Sequence, residues 1–328
     1  MASPFPSSSS APGEGRLVAK LLPNGFSGLE TISYQYPLKL ISPSRSSESK
    51  SVLAFLLSYG GGLVGGDQVN LSIQVRTKAK LSIVTQGHTK IFTSATPDIV
   101  TKQRLQVEID NDSALCLLPD PVQPFEGSVY EQTQVFKLKP RGSLCLLDWV
   151  TQGRTARGEN WSFVRWSGRN EVWSWAGDDG EQDRLLLRDA LLLRGSDAVL
   201  DKPLRETMHG NGLFGTLILR GSLMEPLGDF FLAEFAANPR IGARDFRSAE
   251  AREHEMRNLS EHEQWRARRL ETERKDGVLW SAATVRGCVV VKFGAPTVEA
   301  GRLWIGAMLA REGSIAEVFG DQALMCVK

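Results

Sequence analysis

One short apolar pattern occurs three times in this chain and limits what it can fold into. Ala79-Lys80-Leu81-Ser82-Ile83-Val84, Ser113-Ala114-Leu115-Cys116-Leu117-Leu118 and Gly142-Ser143-Leu144-Cys145-Leu146-Leu147 align without gaps. Each follows a stretch of alternating polar and apolar residues that ends at Val75, Ile109 or Leu138. Such alternation predicts half-buried strands. Leu81, Leu115 and Leu144 lie about 30 residues apart, within the period of stacked repeat architectures. Thr-Gln-Gly also occurs twice, beginning at Thr85 and at Thr151. Successive turns of this kind bury their apolar faces on one another. The expected fold is mainly β, a β-helix-like stack of sheets with helices near the C-terminus. A layered sandwich, or an ordinary antiparallel sandwich with coincidental similarity, is the alternative.

Residues 1–15, MASPFPSSSSAPGEG, have neither a basic start nor an apolar run and read as a disordered tail rather than a secretory signal. Residues 16–328 read as a single β-rich domain. Ser42 to Lys50, SPSRSSESK, separates two apolar runs and is predicted to be an exposed loop. From Arg244 to Asp276 the chain is densely charged, with a capping box at Ser260 and Glu263. An interrupted helix is expected there. Its thin stripe of Phe246, Met256, Leu259 and Trp265 leaves it solvated or docked on a partner. Val278 to Val285 and Cys288 to Phe293 read as strands, and Val298 to Arg311 as a further helix.

The 39 basic residues balance 38 acidic ones, so net charge favours neither nucleic acid nor an anionic membrane as partner. No apolar run approaches the roughly 20 residues of a membrane helix. Cys116, Cys145, Cys288 and Cys326 lack C-x-x-C spacing and read as buried reduced thiols, in keeping with a cytoplasmic protein.

Backbone freedom is concentrated in Tyr59 to Val69, YGGGLVGGDQV, where Gly60, Gly61, Gly62, Gly65 and Gly66 cluster. Gly60, Gly62 and Gly65 satisfy G-x-G-x-x-G, but a dinucleotide site needs a helix next and an acidic residue about 20 positions on. Here a strand follows, with Val69, Leu71, Ile73 and Val75 alternating, and the region of Gly87 has no carboxylate. A Walker A loop is excluded because no Lys-Ser or Lys-Thr follows. The glycines therefore read as structural, at a strand-to-strand corner where backbones pass closely.

Chemistry-bearing motifs are sparse. His254 and His262 sit in Glu-His-Glu triplets eight residues apart, over two helical turns, too far to share one ion. No G-x-S-x-G elbow, H-E-x-x-H pair or Cys-His nucleophile signature is present. What remains is a set of polar residues beside glycine corners: Asp67, Thr85, Gln86, Lys90, Glu126, Arg154 and Glu159. They lie in GGLVGGD, TQGHTKIF, LPDPVQPFEGS and GRTARGE. The order GGLVGGD, T-Q-x-x-x-K, L-P-x-x-x-x-F-E-G, G-R-x-A-x-G-E resembles the pattern of the urease accessory protein D family, called H in some bacteria. The resemblance covers Gly60 to Glu159 by motif and extends more loosely to Val289.

That resemblance implies a non-enzymatic scaffold in urease maturation. Its expected partners are the urease apoprotein and accessory proteins F and G, with no tightly bound cofactor and Ni²⁺ in transit through an internal tunnel. It also implies a mainly β, β-helix-like fold with C-terminal helices. Asp67, Thr85, Gln86, Lys90, Glu126, Arg154 and Glu159 become candidate channel residues. Two departures stand out. Gly87 and His88 occupy positions where many relatives place small apolar residues, which makes His88 a candidate metal ligand, and the charged segment 244–276 is longer than in typical bacterial members. A metal-independent interaction module is the second reading. The third is a β-helix carbohydrate enzyme, for which Asp67, Glu126 and Glu159 would be the carboxylates.

Overall fold

The computed structural model describes residues 11–44, 49–175, 182–197, 202–239 and 259–328. In chain order its first strands are β1 (Glu14–Leu21), β2 (Ser27–Tyr34), β3 (Leu38–Ile41), β4 (Val52–Ser58), β5 (Gln68–Val75), β6 (Lys80–Val84), β7 (Thr89–Ile91), β8 (Thr101–Ile109) and β9 (Ala114–Leu117). There follow β10 (Val122–Pro124), β11 (Val129–Leu138), β12 (Ser143–Thr151), β13 (Arg165–Ser174), β14 (Arg184–Arg194), β15 (Ser196–Asp197), β16 (Lys202–Pro203), β17 (Leu213–Arg220), β18 (Leu279–Val285) and β19 (Cys288–Ala295). The helices are α1 (Leu204–Thr207), α2 (Glu225–Ala236), α3 (Glu261–Asp276), α4 (Val298–Glu312) and α5 (Ser314–Phe319).

The strands form two large sheets. The first has seven strands in the order β14-β13-β11-β8-β5-β1-β2; the second runs β18-β19-β17-β12-β9-β6-β4-β3, with β7 and β10 attached beside β12. The recurring sequence pattern is the register of the second sheet: Leu81 and Leu144 both stand opposite Leu115 in parallel pairings. Its partner stretches do the same in the first sheet, where Val75 faces Ile109 and Ile109 faces Leu138, again in parallel. An antiparallel sandwich is thereby excluded for the centre. Antiparallel pairs occur toward the flanks, at β1-β2, β3-β4, β13-β14, β12-β17 and β17-β19.

The two sheets differ in how their sequences read because they differ in what covers them. Strand β5 shows strict alternation, with Val69, Leu71, Ile73 and Val75 buried and the residues between them open to water. In the second sheet β9 and β12 are buried on both faces. One side of these strands joins the core between the sheets, with Leu81, Leu115 and Leu144. The other side, including Cys116, Cys145 and Trp149, packs under α2, α4 and α5 through Phe231, Trp304 and Ile315. A strand covered on both sides reads as a continuous apolar run. Each buried leucine contributes about 1.5–3 kcal/mol, so a one-residue slip of β5 or β8, which turns its apolar set outward, is strongly opposed.

The tail ends earlier than the sequence reading has it. Glu14 and Gly15 belong to β1 rather than to the tail. Within the charged segment α3 runs Glu261–Asp276, with the Ser260 and Glu263 capping box in place; residues 244–258, including Phe246, His254 and Met256, lie outside the described residues. One face of α3 docks on its own chain. Its Arg269 and Glu273 are buried, Trp265 packs on Phe230, and Glu273 accepts the Trp304 indole N–H at 2.7 Å. Glu234 of α2 fastens it by accepting from His262 at 2.8 Å, Arg266 at 2.7 Å and Arg269 at 3.2 Å. All four cysteines are free and buried.

Candidate functional site

The glycine cluster makes the corner between β4 and β5. Gly60, Gly61 and Gly66 have φ of 71°, 75° and 91°, the left-handed region that favours glycine. Gly62 serves close approach instead: a Cβ there would stand 2.5 Å from the Phe92 ring and 2.7 Å from the Lys90 carbonyl oxygen. The corner thus lies against the segment after β7, where the Leu63 N–H donates to Lys90 O at 2.8 Å and Phe92 N–H to Leu63 O at 2.9 Å. Asp67 closes the corner. Its carboxylate accepts the Val64 N–H at 2.8 Å, and its own N–H donates to the Val64 carbonyl at 3.0 Å.

Beside this corner an open pocket of about 700 Å³ collects Thr85, Gln86, His88 and Lys90. Its organising group is Asp120, which the sequence reading did not single out. Asp120 is buried, and its carboxylate accepts from Thr85 Oγ1 at 3.0 Å, from the Gly87 N–H at 2.9 Å and from Arg302 of α4 at 2.8 Å. Gly87 turns with φ 81°, which aims that N–H at the carboxylate. Ile41, Phe55, Leu57 and Met325 supply an apolar wall. Cys326 lies under Thr85, donating to its carbonyl at 3.4 Å, and burial pushes its thiol up to about 11. Burial holds the half-buried His88 imidazole below its ordinary pKa, and Arg302 and Lys90 act in the same direction against Asp120 and Gln123. The shift favours the neutral ring, the form that ligates metals. Among the described residues no three His, Cys, Asp or Glu side chains are grouped to hold a metal ion.

Arg154 and Glu159 lie elsewhere, on the turn after β12. Glu159 is buried; its Oε2 accepts the Arg154 N–H at 2.7 Å, and its Oε1 accepts from both Nε, at 2.9 Å, and Nη2 of the Arg154 guanidinium. Burial alone would raise its carboxyl; the bonds from Arg154 and from the Glu126 backbone hold it below the usual range. The guanidinium also lies 3.7 Å over the Phe125 ring. Glu126 itself is exposed, its carbonyl accepting from Thr93 Oγ1 at 2.7 Å. Gln123 of β10 connects the two places, because its side chain interacts with His88 and donates to Gly153 O at 3.2 Å. The candidate residues therefore divide between a pocket set and a clamp set, with Asp67 at the corner.

A further polar group lies between the sheets. Buried Asp148 accepts from Gln132 at 2.8 Å and Asn170 at 2.7 Å, and Asn170 in turn accepts from Gln134 at 3.0 Å. Burial raises the Asp148 carboxyl, which borders a cavity of about 460 Å³. The inward positions of β11 and β13 carried a signal for it: Gln132, Gln134 and Asn170 break apolar rows whose other members are Tyr130, Phe136, Trp166 and Val172.

These features define a two-sheet β scaffold with a polar pocket and no grouped metal ligands among the described residues. Comparison with known proteins places it. The family of the UreD urease accessory protein matches residues 11–326, and the chain belongs to that family. An uncharacterised urease accessory protein ureD-like of Schizosaccharomyces pombe is 33% identical over 82% of this chain and 83% of its own length. Urease accessory protein 4 of Cryptococcus neoformans var. grubii is 28% identical over 94% and 93%. Urease accessory protein D of Arabidopsis thaliana is 34% identical over 48% and 52%. The family assigns the chain to urease maturation. Among the described residues no helix is long and apolar enough to cross a membrane.

Proposed function

We propose that this chain is a non-catalytic cytoplasmic scaffold that binds the urease apoprotein, recruits accessory proteins F and G, and assists passage of Ni²⁺ to the urease active site. The observation that carries the reading is the convergence of Thr85, Gln86, His88 and Lys90 with Asp120 on one open pocket. Ni²⁺ takes nitrogen and oxygen donors, and a conduit must hold its cargo weakly enough to release it. One neutral imidazole beside one carboxylate suits transit better than a closed cage. The parallel register of three successive turns supports a β-helix-like scaffold, rigid enough to hold docking faces at fixed separation.

The carbohydrate reading needs a pair of carboxylates, and of its three Asp67 closes a turn and Glu159 is paired with Arg154, which leaves the exposed Glu126 alone. The deciding experiment compares nickel content of urease matured in cells with the wild-type chain, without it, and with His88→Ala. Less nickel in the latter two, with urease still captured by the variant, is expected. Full nickel loading without the chain overturns the reading; full loading with His88→Ala alone removes the imidazole from the path.

A further inference from the structure

Among the described residues nothing packs on the outward face of the first sheet. Five of its strands, β13, β11, β8, β5 and β1, run parallel. Parallel sheets are ordinarily covered on both faces, and here the second sheet has its helical layer whereas the first has none among the described residues. The outward face is polar and basic. Arg16, Lys102, Arg104, Arg165, Arg169 and Arg188 project from alternate positions of these strands and of β14, against Glu14, Glu108, Glu131 and Glu171. Three of these glutamates are engaged by side chains: Glu131 pairs with Arg165 at 2.7 Å, Glu171 with Arg188 at 2.9 Å, and Glu108 accepts from Gln74 at 3.0 Å. Positive charge is thus in excess on this face although the chain as a whole carries +1.

One depression of about 550 Å³ on this face is bordered by Arg16, Asn70, Ser72, Arg104 and Gln106. Arg104 is exposed and has no hydrogen-bond or ion-pair partner among the described residues, and Arg16 makes only a 3.5 Å contact with Gln74. Glu14 also borders the depression, with its carboxylate turned to the Ala11 N–H at 2.9 Å. Two guanidinium groups with unused donors over a floor of amide and hydroxyl side chains match a carboxylate, which arginine binds through paired N–H groups.

We infer that this face docks an acidic segment of a protein partner, with a carboxylate seated between Arg16 and Arg104. The inference rests on the scaffold reading and adds to it the charge of one docking partner and the place where it binds. A protein partner is favoured over nucleic acid because the least engaged guanidinium groups border one recess instead of forming the continuous basic track that a phosphate backbone follows.

The test measures binding of a fluorescent polyglutamate peptide to the full chain by anisotropy, at low and at high salt. Saturable, salt-weakened binding is expected. Arg16→Ala with Arg104→Ala should weaken it by about tenfold or more, while the exposed pair Arg268→Ala with Arg274→Ala on α3 leaves it unchanged. Absence of binding, equal loss in both double variants, or no loss in the first overturns the inference. Tighter binding of an oligothymidylate of equal charge overturns the choice of a protein partner. No urease is present in the measurement, so its outcome is independent of the nickel experiment.

Discussion

Asp120 and Arg302 meet at 2.8 Å across 182 residues of sequence, joining the loop before β10 to helix α4. This pair, set against the half-buried His88, fixes the charge state of the pocket. Asp120 raises the affinity of the imidazole for its proton and Arg302 lowers it. Arg302→Ala should therefore raise the His88 pKa, and Asp120→Asn should lower it further. Titration of the His88 imidazole by NMR reads both shifts. Because the folded imidazole binds its proton less readily than the unfolded one, it makes the protein less stable as pH falls below about 6.5. His88→Gln should flatten that part of the stability profile.

Glu159→Gln tests the clamp on the turn after β12. The variant leaves Arg154 without its anionic partner, but that arginine can reach water, so the cost should be about 1–3 kcal/mol in chemical denaturation. The sign with pH is fixed by the depressed carboxyl. In the wild type this contribution is present above the unfolded value of about 4.3 and is lost as pH falls through the lower folded one. A variant that melts like wild type at neutral pH would show that the pair contributes nothing.

At the glycine corner, alanine should destabilise position 62 by overpacking and position 61 by backbone strain. The expected costs are about 1–3 kcal/mol and about 1–2 kcal/mol. Asparagine separates the two causes. It adopts the left-handed conformation comparatively well, so Gly61→Asn should be milder than Gly61→Ala. Gly62→Asn should be at least as harmful as Gly62→Ala, because its side chain meets Phe92 and the Lys90 carbonyl. Urea midpoints of the four variants decide it.

Glu234 lies buried among His262, Arg266 and Arg269 and is the principal polar attachment of α3 to α2. Glu234→Gln removes one of the two carboxylates that face the buried Arg269, which keeps Glu273 at 2.6 Å, and should cost about 1–3 kcal/mol. Hydrogen exchange should show the loss first in residues 261–276, ahead of the β strands.

The repeat was legible because parallel registry requires the same residue types at the same rung. Leu81, Leu115 and Leu144 declare in one dimension an alignment that the sheet realises in three. The glycine corner was legible for a similar reason, since positive φ and close approach leave few choices of residue. The pocket was legible only in part. Thr85, Gln86, His88 and Lys90 are near one another in sequence, whereas Arg302 and Cys326 arrive from distant elements with no local mark. Asp120 lay between two prolines in a quoted motif, yet its role depends on what the fold brings to it. The docked face of segment 261–276 was not legible because it is made of Arg269 and Glu273, and burial of a salt-bridged pair leaves no apolar stripe to read.

The in-register turns also dictate where the length of such a chain can change. A single residue added within β8 would invert every side chain beyond it, moving Leu105, Val107 and Ile109 from the core to water. The stretch from Leu115 to Leu144 is nonetheless shorter than that from Leu81 to Leu115, and both close on the same row. The difference is absorbed entirely in the bends between sheets. Gains and losses of residues during divergence should accordingly gather in the bends that join the two sheets. There they would reshape the pocket while the strand lengths stay fixed.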